Sequence, residues 1–167
     1  MSPRRATRVA SVSGLAFDTE IAAEIEGWYE LLGLVRSLTP AERAEPGYYD
    51  APVWSVRDVV AHLGAWLAEA EIQLERIGAG SYEGHELDID ALNADFLAKL
   101  GDQPWGIAWL QANAGRTRML QAWYGLVVRD DEAAWWVRKS GCDHYAEHNG
   151  RLREWSAELI SRRRPPS

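Results

Sequence analysis

Between Ser55 and Ile77 an apolar residue returns every three or four positions: Val59, Leu63, Trp66, Ala70, Leu74 and Ile77. A strand would need a period of two, so only a helix brings these side chains to one face. The start of that helix is also marked. Ser55-Val56-Arg57-Asp58 has the form of a capping box, a serine followed three residues later by an acid. Three further segments repeat the helical spacing. From about Thr19, a suitable N-cap, to about Leu38 the stripe is Ile21, Ile25, Trp28, Leu32 and Val35. From about Trp105 to Val127 it is Trp105, Ala108, Trp109, Ala112, Met119, Trp123 and Leu126, interrupted by Arg116. From about Lys139 to Ser161 it is His144, His148, Leu152, Trp155 and Leu159. Four long amphipathic helices with little strand signal predict an all-α chain built as a four-helix bundle.

The connections are read from their breakers. Thr39-Pro40 ends the first helix, and Pro46, Gly47 and Pro52 mark a loop. Ile89, Leu92, Phe96 and Leu100 predict an extra short helix in the connection between helices 2 and 3, closed by Gly101-Asp102-Gln103-Pro104. Asp130-Asp131 reads as a surface loop, and Trp135-Trp136-Val137 as a short extended or hinge segment. Residues 1–18 are expected to be a flexible tail, 19–161 the bundle, and the arginine-rich 162–167 a second, fraying tail.

Composition narrows the function classes. With 167 residues, 47% hydrophobic and 26% charged, the chain has the make-up of one soluble domain with a sizeable core. The net charge of −7 argues against a nucleic-acid partner, though local arginines can still hold an anionic ligand. A lone cysteine, Cys142, allows no intramolecular disulfide. No apolar run approaches the ~20 residues needed to cross a bilayer, so no membrane partner and a cytoplasmic location are expected. Nine tryptophans point to a wide aromatic core or an aromatic-lined cavity.

The histidines carry the chemistry. His144 and His148 are four residues apart and share a helix face, on the first rungs of an otherwise apolar ladder. His62 lies on the side of its helix that carries Trp66. If the two helices pack together, three imidazoles meet. Neutral imidazole suits zinc, nickel or iron, and three ligands leave a coordination position open, as catalytic sites do. A divalent metal there would lower the pKa of water or hold a thiol as thiolate. Asp58 and Asp143 are candidates to orient the imidazoles through their second nitrogens. The competing reading is that all three are hydrogen-bonded core residues.

Other candidates carry alternatives of their own. Arg116 can clamp a substrate carboxylate or pair with a buried acid. Trp66 and Trp123 can line a substrate pocket or simply pack. Tyr145 and Glu147 point to other faces of the last helix, and packing or solvent roles suit them. Cys142 has no base beyond His144 to make it a nucleophile, and His85 reads as a surface loop residue.

Trp54-Ser55-Val56-Arg57-Asp58-Val59-Val60-Ala61-His62-Leu63-Gly64-Ala65-Trp66 resembles the second-helix signature of the DinB-like superfamily, which includes the N-terminal domain of mycothiol-dependent maleylpyruvate isomerases and the ClbS/DfsB proteins. Asp88-Ile89-Asp90-Ala91-Leu92-Asn93-Ala94, His144-Tyr145-Ala146-Glu147-His148 and Arg151-Leu152-Arg153-Glu154-Trp155 are similar to later segments of the ClbS/DfsB branch. The resemblance runs from about residue 20 to 160. It implies a four-helix bundle, commonly a homodimer, in which His62, His144 and His148 correspond to the ligands of a divalent metal. Some ClbS-like sequences lack that triad. It further implies thiol transfer with a low-molecular-weight thiol cosubstrate, or hydrolytic opening of a strained ring in a genotoxic small molecule. The expected function is therefore a metal-dependent hydrolase or thiol transferase acting on an electrophilic small-molecule substrate. A non-catalytic bundle that sequesters such a molecule is the alternative.

Overall fold

The computed structural model describes residues 13–50, 53–84 and 87–163, with side chains from residue 19 onward except that of Asp50. His85, residues 1–12 and 164–167, and Pro52 lie outside the described residues. The elements are α1 (Ser13–Arg36), α2 (Pro40–Ala44), β1 (Tyr49–Asp50), β2 (Val53–Trp54), α3 (Val56–Gly78), α4 (Ile89–Leu100), α5 (Trp105–Gly125), α6 (Asp131–Ser140) and α7 (Cys142–Ser161). The four long helices form the bundle, α3 lying along α5 and α1 along α7, while α6 bridges α1, α3 and α7. As expected, α4 is a short extra helix in the connection from α3 to α5.

The apolar stripes build the core. Val59, Leu63, Trp66, Ala70 and Leu74 of α3 are fully buried, as are Ala112 and Met119 of α5 and Leu152 and Leu159 of α7. The α3–α5 pair approaches so closely that a Cβ at Gly64 would lie 3.0 Å from the Ala112 backbone. Such a seam is made by small residues, and a larger one there would push the helices apart. Three of the nine tryptophans form one stack. Trp105 stacks on Trp109 (centroids 5.6 Å apart) and Trp109 on Trp28 (5.7 Å). Arg43 covers the Trp105 end at 4.7 Å and Arg116 the Trp28 end at 5.1 Å, so each outer ring faces a guanidinium.

Four local expectations are corrected. The first helix begins at Ser13, not Thr19, and its buried stripe is Ile21, Glu24, Trp28, Leu31 and Val35, so Ile25 and Leu32 are displaced from it. Thr39 does not simply end that helix. It caps α2 through a box with Glu42. The segment 131–140, expected to be loop and hinge, is helix α6. Asp130 caps it by accepting from the Ala133 amide at 2.9 Å, and Ala133, Trp136, Val137 and Ser140 are buried at helical spacing. The loop around Pro46 and Gly47 is a two-stranded hairpin in which Tyr49 pairs with Trp54 and Asp50 with Val53. Gly47 turns into it at φ 125°, where a Cβ would also strike the Trp155 ring at 2.8 Å. Arg151 of α7 holds the hairpin by donating to the carbonyls of Tyr48 (2.9 Å) and Gly47 (3.3 Å).

Candidate metal centre and its cleft

Packing α3 across α7 brings His62, His144 and His148 to one place. One ring nitrogen from each lies within 4.8 Å of the others. His62 Nε2 and His144 Nε2 are 3.0 Å apart, and the ring centroids of the three residues are separated by 4.8–5.4 Å. His144 and His148 are buried at 6% and 3% exposure, whereas His62 is half-buried. Burial pushes the His62 imidazole down to about 3, helped by His148 and Lys139. It lowers those of His144 and His148 as well. All three are therefore neutral near pH 7, the state in which imidazole ligates a metal.

The hairpin, which sequence reasoning left as a loop, completes the site. The hydroxyls of Tyr48 and Tyr49 each lie 3.3 Å from His148 Nδ1. Tyr48 donates its own proton to the His148 carbonyl at 2.8 Å, which leaves its oxygen as an acceptor. Nδ1–H is the matching donor, and the lone pair then belongs to Nε2. Trp54 packs against His62 with centroids 5.0 Å apart, and Trp66 edges onto His144 at 5.8 Å. The aromatic run Tyr48-Tyr49…Trp54 beside Gly47 was the available signal, since paired β-formers around a turn mark a hairpin.

A cleft of about 370 Å³ opens over His62 and His148, walled by Tyr49 and Trp54 on one side, by Asn93 and Leu97 of α4 on another, and by Glu147. That size suits a small organic molecule. Asn93 also accepts from the Trp66 indole at 2.9 Å, which ties α4 to α3 beside the histidines. A narrow cavity of about 20 Å³, room for one water, lies behind His62 and is lined by Trp54, Asp58 and Phe96.

The remaining sequence candidates fall elsewhere. Asp58 does not orient an imidazole: its carboxylate accepts from the Ser55 amide (2.8 Å), the Ser55 hydroxyl (2.7 Å) and Arg57 (3.1 Å), so it caps α3. Asp143 is exposed, with Cys142 at 3.7 Å, and makes no hydrogen bond to a histidine among the described residues. Arg116 forms a two-pronged pair with Glu24, both bonds 2.7 Å, and Tyr145 donates to the same carboxylate at 3.1 Å. Trp123 is buried against Arg129, away from the cleft. Tyr145 is wholly buried, while Glu147, assigned to another face by the sequence, lines the cleft. Burial, then Asp143, pushes the Cys142 thiol up to about 11, so it is not a ready nucleophile.

No family model matches the chain, and no curated protein does. Solved structures do. An uncharacterised protein from Escherichia coli UTI89 superposes with a TM-score of 0.70 at 16% identity, covering 86% of this chain and 94% of that one. The colibactin self-resistance protein ClbS, in complex with double-stranded DNA, superposes with a TM-score of 0.67 at 16% identity, covering 83% and 94%. This is a ClbS-like fold. The architecture implied by the sequence resemblance is thus the one observed. The ClbS complex also corrects the exclusion of nucleic acid. A protein of this fold is seen on double-stranded DNA, so net charge alone does not rule that partner out. Among the described residues, no helix is long and apolar enough to cross a membrane.

Proposed function

We propose that the chain is an enzyme that opens an electrophilic small molecule, as a detoxification or self-resistance activity, with a divalent zinc, nickel or iron ion held by His62, His144 and His148. The observation that carries this reading is the convergence of three neutral imidazoles beneath a cleft of small-molecule size. The donor set fits such an ion. Two nitrogens bonded to one metal at ~2.0–2.1 Å each stand roughly 3 Å apart; the His62 and His144 Nε2 atoms are 3.0 Å apart, and the three nitrogens, within 4.8 Å of one another, would draw together around the ion. When bound, the ion supplies Lewis acidity that lowers the pKa of a water or thiol nucleophile. Tyr48 and Tyr49 fix the tautomer and orientation of His148. Trp54 and Leu97 of α4 border both the cleft and the small cavity beside His62, and so narrow the approach to the histidines. A thiol nucleophile would come from a low-molecular-weight cosubstrate, because Cys142 is held protonated. The homodimer implied by the resemblance belongs to the same reading and is tested by sedimentation.

The activity is tested with a panel of epoxides and cyclopropanes, with and without added thiol. Metal-dependent turnover that disappears in His144→Ala is the expected result. Tight binding without turnover in metal-loaded protein would leave the sequestering alternative. A second reading, double-stranded DNA as partner, is supported by the ClbS complex. Fluorescence anisotropy with a labelled duplex over a salt series tests it, and salt-insensitive or absent binding rejects it.

A further inference from the structure

We propose that the cleft over His62 and His148 selects flat, positively charged organic molecules, an aromatic or unsaturated core bearing an ammonium group, with Glu147 as the counter-charge. This rests on the reading of the site as a small-molecule centre. Tyr49 and Trp54 both line the cleft, their ring centroids 5.8 Å apart and their planes 50° apart, so two aromatic rings border the space a ligand would fill. Aromatic faces attract cations and stack on flat cores. Among the described residues, Glu147 is the one carboxylate lining the cleft, and no lysine or arginine lines it.

Farther along α7, Glu154 and Glu158 are each paired with Arg151. Glu147 is exposed at the cleft mouth and makes no salt bridge among the described residues. Lys139, the cation near the histidines, sits 5.5 Å over the Trp66 ring and does not line the cleft. An unpaired carboxylate beside two aromatic rings is the arrangement that recognises an organic ammonium. The net charge of −7 adds a long-range field that draws cations and repels anions.

Isothermal titration of the full chain with phenyltrimethylammonium and with benzenesulfonate, two probes of one aromatic core and opposite charge, tests the proposal. The measurements are made on chelator-treated protein and repeated after zinc is restored. The expected result is that the ammonium probe binds chelator-treated wild type about ten-fold or more tighter than the sulfonate. Glu147→Gln should weaken the ammonium about five- to ten-fold, Glu147→Asp should keep most of the preference, and Tyr49→Leu should weaken the ammonium as well. Circular dichroism confirms that each variant is folded. Equal or tighter binding of the sulfonate, no detectable binding of either probe, or an unchanged preference in Glu147→Gln overturns the proposal. Its failure is separable from that of the proposed function. A cation preference in protein that takes up no metal sinks the metal reading alone. Metal-dependent turnover without any cation preference sinks this one alone.

Discussion

His148 is gripped by more of its surroundings than either neighbouring histidine. Its Nδ1 faces two tyrosine hydroxyls and its carbonyl accepts from one of them, whereas His144 Nδ1 is buried with no hydrogen-bond partner among the described residues. Orientation of the triad therefore depends on the hairpin. In Tyr48→Phe/Tyr49→Phe, His148 loses both partners of Nδ1. Metal affinity, measured by competition with a chromophoric chelator, should fall roughly 10–100-fold. An unchanged affinity would show that the tyrosines only pack. A second residue-scale prediction concerns Glu24, whose side chain is 0% exposed and paired with an Arg116 side chain that is 18% exposed. Arg116→Met strands the carboxylate in the core. Urea denaturation should report a loss of about 3 kcal/mol, the low end for a broken buried pair because Arg116 keeps some contact with water. Glu24→Leu combined with Arg116→Met should cost clearly less than that single change, since no charge is left unpaired.

At the scale of elements, α4 stands apart. None of its residues is fully buried, yet it walls the cleft and is tied to α3 by the Asn93–Trp66 hydrogen bond. Helices with few buried apolar contacts open locally at low cost. Hydrogen exchange should release the α4 amides well before those of α3 and α7. Asn93→Leu should speed α4 exchange further while leaving the core unchanged. Protection of α4 equal to that of α3 would contradict this. The same scale shows what the sequence made legible. The α3 and α7 stripes, with the histidines on their rungs, follow from a 3.6-residue period, because on those helices most core positions are apolar or histidine, with Gln73, Asn149 and Ser156 the buried polar exceptions. In α1 the period was phased on Ile25, but Glu24 faces inward. Its partner Arg116 lies far away in sequence, and no local signal pairs them. For α6 the signal is local: Asp130 is a good cap, and Ala133, Trp136, Val137 and Ser140 follow helical spacing. The hairpin shows no period, because two-residue strands are too short for one; its only local signal is the aromatic run around the Gly47 turn, and Arg151 of α7 braces it from far away in sequence through the Gly47 and Tyr48 carbonyls.

For the whole molecule, three neutral histidines, two buried and one half-buried, couple stability to pH. In metal-free protein each has a folded pKa lowered from 6.5, to about 3 for His62. The unfolded chain therefore binds protons that the folded chain refuses. The stability they contribute is full above about pH 6.5 and is lost as the pH falls from there toward the folded values. Each adds up to about 1.4 kcal/mol per pH unit inside that window. Thermal melts of metal-free protein should thus show Tm falling steadily from pH 6.5 to 4.5, a range above most carboxylate titrations, and the slope should flatten in His62→Gln. A flat profile over that range would mean that the imidazoles are not buried as described. Bound metal would itself oppose protonation and carry the plateau to lower pH.

The claim on which the functional account rests is that α3 and α7 together hold one metal ion. Elemental mass spectrometry of untagged protein, purified without chelator and compared with His62→Ala and His148→Ala, tests it directly. The account predicts about one zinc, nickel or iron per wild-type chain and a sharp loss in both variants, although they alter different helices. Metal-free wild type that also takes up no ion on dialysis against these metals, or variants that retain wild-type metal content, would contradict it.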